Sequence, residues 1–160
     1  LLLGEQNRSA WDRNLIGRGL EHMLAAAHGD EISDYHIEAE IASIHMVAES
    51  VESTAWPRIL ECYDLLQRRS YSPIAELNRA IAIGQIDGPE AALSILDNVP
   101  DDNKLDTYYL FHAAKAHYLS VLGRSDKATT AYIKAHSLSY NETTQQLIAN
   151  RIAKQKGDEK

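Results

Sequence analysis

The stretch from Leu105 to Asn141 constrains the fold of this chain more than any other. Its apolar positions keep helical spacing on both sides of Leu122-Gly123-Arg124-Ser125, where the pattern breaks. Glycine at that break tolerates the left-handed backbone that ends a helix. Small residues at Ala116, Ala128 and Ala135 let two helix backbones approach closely, and Tyr132 is large enough to fill the gap to a further helix. The stretch therefore reads as two antiparallel helices joined by a tight turn.

The same grammar occurs upstream. Ala80 and Ala116, Ala92 and Ala128, and Leu96 and Tyr132 each stand 36 residues apart, and the turn glycines Gly88 and Gly123 stand 35 apart. Helical hairpins recurring at about 34 residues mark tetratricopeptide (TPR) arrays. The sequence thus predicts an all-α fold, a TPR-like antiparallel helical-hairpin array of about eight helices. It is read as a single domain over residues 1–153, with a charged tail at 154–160 expected to fray.

The other helices follow from caps and periodicity. A first helix is expected over Ser9–Ala27, opened by Ser9 with Asp12 three residues on and ended at Gly29-Asp30. Its apolar face would hold Trp11, Leu15, Ile16, Leu20, Met23 and Leu24. A second is expected over Asp34–Glu49, capped by Ser33 or Asp34, with Ile37, Ile41, Ile44 and Ala48 inward. A third, Ala55–Arg69, has Thr54 as its expected N-cap and Pro57 in the first turn, where amide donors are unpaired anyway. Ser72-Pro73 opens the fourth, which carries Ile74, Leu77, Ala80, Ile81 and Gly84 on its apolar side, and Asp87-Gly88-Pro89 divides it from the fifth. Pro100 to Asn103 connects to the hairpin at Leu105, and Asn141 caps the eighth helix. The first three helices keep the helical pattern but not the 36-residue period.

Charge and cysteine content narrow the function classes. Sixteen Lys and Arg against 23 Asp and Glu give a net charge of −7, which repels phosphate backbones, and no basic stripe marks any helix. DNA or RNA is therefore not an expected direct partner. Leu1-Leu2-Leu3 is too short to span or target a membrane. The single cysteine, Cys62, falls on an apolar helix face as a packed side chain, in keeping with a reducing, cytoplasmic setting. The chain lacks an initiator methionine and reads as a piece of a longer protein.

No reaction chemistry stands out. His36 with Glu40, and His45 with Glu49, share helix faces, but zinc needs three or four converging ligands and there is neither an HExxH nor a cysteine pair. His112 and His117 have no matched nucleophile, and no phosphate-binding loop is present. The sequence implies no catalytic residues, no metal and no cofactor. Two polar or aromatic sets remain. Asn78-Arg79 interrupts an apolar helix, so the arginine must either reach solvent with a packed stem or pair with an acid; a structural ion pair with Asp12 or Asp64, in a polar cluster that includes His45, is favoured over a ligand site. Tyr108, Tyr109 and His112 form a candidate groove, with core packing the competing reading for the tyrosines.

Several of these motifs also resemble a known family. Arg8 to Asp12 (RSAWD) is similar to an RSxWD stretch in the C-terminal extension of one group of bacterial extracytoplasmic-function sigma factors. Tyr35, Ala39, Ile41, Ala42, His45 and Ala48 match that group's YxLQAAIAAVHAxA, and Trp56, Ile59 and Tyr63-Asp64-Leu65-Leu66 its WxxIxxLYDLL. Ser72-Pro73 and Leu77-Asn78-Arg79-Ala80 resemble SPxxxLNRAxA, and His112-Ala113-Ala114, Leu122-Gly123-Arg124 and Ala131-Tyr132 continue the likeness. It covers nearly the whole chain, from Leu2 to Ile152. Glu40, Pro57 and Cys62 depart from the pattern.

The resemblance implies a helical, TPR-like extension lying downstream of sigma regions 2 and 4, which are absent from this sequence. Its implied role is regulatory, in transcription initiation. Its implied partners are core RNA polymerase or the sigma regions of the same protein, with promoter DNA touched only through those upstream regions. A free-standing TPR-like adaptor binding a protein or peptide is the alternative reading.

Overall fold

A computed structural model describes residues 7–26, 32–100 and 105–157. Ala27, Gly29-Asp30, Leu1 to Leu3, residues 101–103 of the expected connection and the tail from residue 158 lie outside the described residues.

All regular structure among the described residues is helical. A 3-10 turn at Arg8–Ala10 precedes α1 (Arg13–Ala26), α2 (Asp34–Val47) and α3 (Trp56–Arg69). Then follow α4 (Pro73–Ile86), α5 (Pro89–Asn98), α6 (Tyr109–Val121), α7 (Ser125–Leu138) and α8 (Glu142–Gly157). The chain divides into two compact units between Ser70 and Tyr71. The division falls where the 36-residue period begins, so the unrepeated helices α1–α3 form one unit and the repeated hairpins, with α8, the other.

In the second unit α4 packs on α5, α5 on α6, α6 on α7 and α7 on α8. Every residue of the three 36-spaced pairs is buried, from Ala80, Ala92, Ala116 and Ala128 at 0% exposure to Leu96 at 1% and Tyr132 at 5%. The sequence period is thus a packing register: alanines where helices touch, a large side chain in the space between them. One cluster gathers Leu77, Ala80, Ala92, Leu93, Leu96 and Tyr118, and a second gathers Ala116, Tyr132, Ala135 and Ile148. The two turn glycines have positive φ, 93° at Gly88 and 69° at Gly123, where a side chain would be strained.

Caps set several helix starts. The Ser72 hydroxyl accepts from the Ala75 amide, with Pro73 in the first turn of α4. The Asn141 side chain accepts from the Thr144 amide. At α2 the Ser33 amide donates to His36 Nδ1 at 3.1 Å, so His36 carries its proton on Nε2 and donates it to the Ala26 carbonyl at 3.3 Å. That pair ties the start of α2 to the end of α1.

Five expectations are corrected. The first helix begins at Arg13, because Asp12 rather than Ser9 caps it, accepting from the Asn14 and Leu15 amides at 2.9 and 3.1 Å. Its expected apolar face is only half covered: α1 has α2 as its principal neighbour, so Ile16, Leu20 and Met23 are half-buried while Leu15 and Leu24 are exposed. The second helix stops at Val47, and Ala48 turns out of it with extended backbone. Thr54 does not cap α3; its hydroxyl is spent on the Ser50 carbonyl at 2.8 Å, and Ala55 stands at the N-cap. Ile74 is exposed rather than inward, and the register of α4 instead buries Ala82 and Ile83. Beyond these, Lys154 to Gly157, expected in the frayed tail, continue α8. Gln155 anchors that end by donating to the Ser120 hydroxyl at 2.6 Å.

Candidate functional site

The most unusual local arrangement lies in the first unit, around Arg8. Arginine is seldom buried without a charged partner. Here the whole residue is 3% exposed, and Nη1 faces the turn between α2 and α3. It donates to the carbonyls of Ser50 (2.9 Å) and Ala48 (3.2 Å) and to the Thr54 hydroxyl (3.3 Å), with the His45 carbonyl at 3.5 Å. The guanidinium carbon lies 5.6 Å from the centre of the Trp11 ring. The cation is therefore held by carbonyl dipoles at the negative end of α2 and by an aromatic face. Nη2 is buried with no hydrogen-bond partner.

His45 belongs to the same assembly. Its ring meets Trp56 edge to face, with centroids 5.4 Å apart, and Nδ1 is buried without a partner. Burial, and then the Arg8 charge, hold the imidazole below its ordinary pKa, so it is neutral near pH 7. Trp56 in turn donates its indole N–H to the Val51 carbonyl at 2.9 Å. The arrangement fastens segment 7–11 to the α2–α3 turn. The polar residues of the RSAWD motif thus divide the work between them. Arg8 is the bolt, Ser9 hydrogen-bonds Asn7, and Asp12 caps α1. Sequence reasoning missed the role of Arg8. Its only signal was an arginine three residues ahead of a tryptophan, because its acceptors are main-chain groups some 40 residues away.

Of the expected polar cluster, Asp12, His45 and Asp64 belong to the first unit and Asn78 and Arg79 to the second. Asp12 is occupied as a helix cap, and Asp64 is half-buried on α3. Arg79 pairs with Glu76 at 3.2 Å, one turn back on α4, an acid not named among its expected partners. Asn78 is half-buried beside it. His36 and Glu40, considered as a metal pair, are engaged elsewhere, the first in the α2 cap and the second with Arg58 at 2.6 Å. Among the described residues no group of three metal-ligating side chains converges. Cys62 is buried, and burial pushes its thiol pKa up.

The three members of the candidate groove have different neighbours. Tyr108 packs against the Leu77–Tyr118 cluster and Tyr109 against the Ala116–Tyr132 cluster, their rings edge to face at 6.1 Å. His112, bonded to the Asp106 carbonyl at 3.0 Å, instead lines an open groove of about 560 Å³ between α6 and α7. Lys115, Lys127 and Lys134 border that groove, with Phe111 and Ala131 as its apolar floor. Lys115 is paired with Asp97 at 2.6 Å, and Asp106 and Asp126 line the groove as well.

The site and fold define an all-helical protein of antiparallel hairpins. No family model matches the chain, and no solved structure does. The chain is similar to an uncharacterized protein of Rhizobium meliloti (strain 1021), 36% identical over 141 residues, which are 88% of this chain and 33% of that protein. The chain thus spans about a third of the length of the curated relative it matches.

Proposed function

We propose that the chain is the regulatory, protein-docking extension of a bacterial extracytoplasmic-function sigma factor, TPR-like in design and cytoplasmic. Its partners are core RNA polymerase, the sigma regions of the same protein, or both. The carrying observation is that motifs behind the resemblance fall on structural joints. RSAWD supplies the Arg8 bolt and the α1 cap, Ser72-Pro73 the α4 cap, and Leu122-Gly123-Arg124 the positive-φ turn before α7. The net charge of −7 favours contact with protein over promoter DNA. In the relative the similar stretch is 33% of the whole, as an extension joined to other regions would be.

In this reading the helical chain docks on its partner, and a signal shifts the docking equilibrium. The test is transcription in vitro with the full-length protein and with a protein truncated before this chain. A change in promoter output or polymerase affinity on truncation is expected. If both are unchanged, the regulatory reading falls and a free-standing adaptor takes its place.

A further inference from the structure

The first unit carries most of the acidity. Residues 1–70 hold six arginines, no lysine and twelve Asp and Glu, a net −6, whereas residues 71–160 hold ten Lys and Arg against eleven acids. The arginines leave much of that charge uncompensated. Arg8 is buried, Arg58 is taken by Glu40 and Glu61, Arg69 by Asp34, and Arg13 reaches the Met46 carbonyl.

The outward side of α2 collects what remains. Tyr35, Glu38, Ala42 and Met46 recur at three- and four-residue steps, so they share a face, and Glu49 follows just past the helix end. Tyr35 is 83% exposed, Glu38, Ala42 and Glu49 are exposed, and Met46 is half-buried. Among the described residues neither Glu38 nor Glu49 has an ion-pair partner. The face is thus an apolar stripe, low at Ala42, that carries the Glu38 carboxylate, with the Glu49 carboxylate exposed on the turn that follows. A second copy of the chain would bring glutamates against glutamates, and nucleic acid would meet the same repulsion.

We propose that this face of α2 docks a basic amphipathic helix of a protein partner. Its apolar side lies along Tyr35, Ala42 and Met46, and its Lys or Arg residues reach Glu38 and Glu49. The assignment rests on the docking role proposed above and names the surface that performs it.

The test titrates this protein with a designed amphipathic Leu/Lys helical peptide and with a scrambled peptide of identical composition. Fluorescence anisotropy reads binding and amide chemical shifts locate it. The amphipathic peptide is expected to bind more tightly, to perturb α2 first, and to weaken steeply with salt. Glu38→Lys with Glu49→Lys should weaken it about tenfold or more, as should Tyr35→Ser, all with unchanged circular dichroism because these side chains point away from the core. Equal binding of the scrambled peptide, shifts confined to α4–α8, or indifference to these substitutions would overturn the proposal. No peptide binding alongside truncation-sensitive transcription rejects this face and leaves the regulatory role standing. Specific peptide binding alongside truncation-insensitive transcription supports the face and rejects the role.

Discussion

Gly84 on α4 lies directly beneath the phenol of Tyr118 on α6. A Cβ at Gly84 would stand 2.7 Å from Cζ and 2.8 Å from Cε1 of that ring, with the hydroxyl nearer still. Tyr118 is itself 4% exposed, and its hydroxyl makes only a long hydrogen bond, 3.4 Å, to the Ile81 carbonyl. The absence of a side chain on one helix therefore sets the position of an aromatic on another. Gly84→Ala is expected to cost about 1–3 kcal/mol, the usual range for forcing an extra carbon into a packed site. Tyr118→Phe alone should cost about 1 kcal/mol or less, and combined with Gly84→Ala it should recover part of the loss by removing the nearest atom. Urea unfolding of the four proteins closes the cycle; strict additivity would show that the two residues are not in conflict.

The same tyrosine gives an alkaline prediction. Burial pushes the Tyr118 phenol up to about 12 and raises Tyr132 as well, against an ordinary value of 10.0. The unfolded chain releases these protons first, so stability is intact below pH 10 and falls as pH rises from there towards the folded value. Tyrosinate absorbance is expected to show Tyr118 ionising late, or together with unfolding. A Tyr118→Phe protein should lose less stability between about pH 9 and 11, a comparison made by urea unfolding at each pH.

Arg8 can be tested with a signal of its own. Both tryptophans of the chain, Trp11 and Trp56, belong to the first unit and flank the Arg8–His45 assembly. Tryptophan fluorescence thus reports that unit. Arg8→Met leaves the carbonyls of Ala48 and Ser50 and the Thr54 hydroxyl without their common donor, at an expected cost of about 2–4 kcal/mol. Arg8→Lys should cost less, because all the hydrogen bonds converge on the single nitrogen Nη1, which an ammonium can imitate. Fluorescence-detected unfolding checks the order; a lysine variant no better than methionine would show that the Trp11 contact, not the carbonyls, holds the residue.

The two units differ in how far their sequence discloses them, and the reason is physical. The hairpins are legible because their determinants are local and repeated. Gly88 and Gly123 are dictated by a positive φ, and Ala80, Ala92, Ala116 and Ala128 by helix approach. Ser72 and Asn141 announce helix starts through bonds spanning three residues. The first unit depends on distant main-chain acceptors, which look alike in every sequence. Arg8 is therefore invisible there as a bolt, and Thr54 has the look of a cap. The need of Arg79 for an acid is legible, and Glu76, one turn back on the same helix, is a partner that composition alone did not single out. Tyr108 and Tyr109 show the limit of aromatic counting: adjacent on the chain, they enter two different cores.

His45 makes the first unit sensitive to mild acid. Its folded pKa is lowered from 6.5 by burial and then by Arg8. Above pH 6.5 both folded and unfolded chains hold it neutral and nothing is lost. As pH falls below that value the unfolded chain takes the proton first, so stability drops until the lower folded value is passed. Fluorescence-detected urea unfolding at about pH 7.5 and about pH 5.5 should show a larger loss in the parent than in His45→Gln. Arg8→Met should also flatten the dependence, by removing the charge that opposes protonation. His117, depressed by desolvation and by Arg151, lies in the other unit and is separated by this readout.

The end of α8 supplies the last test. A boundary at residue 153 would be harmless if the following residues frayed, but Gln155 is 8% exposed and donates to the Ser120 hydroxyl on α6. That bond pulls the last turn of α8 across the hairpin below it, beside Ile148 and Ile152 in the second core. Truncation after Ala153 is expected to destabilise the second unit by about 1–3 kcal/mol, through the lost buried hydrogen bond and the exposed end of the apolar stripe. Gln155→Ala should reproduce part of the loss, about 1 kcal/mol. Ser120→Ala should add little to Gln155→Ala, since the two groups bond to each other. Near-ultraviolet circular dichroism, which reads Tyr118 and Tyr132, follows the unfolding. A truncated chain as stable as the parent would return residues 154–157 to the frayed tail.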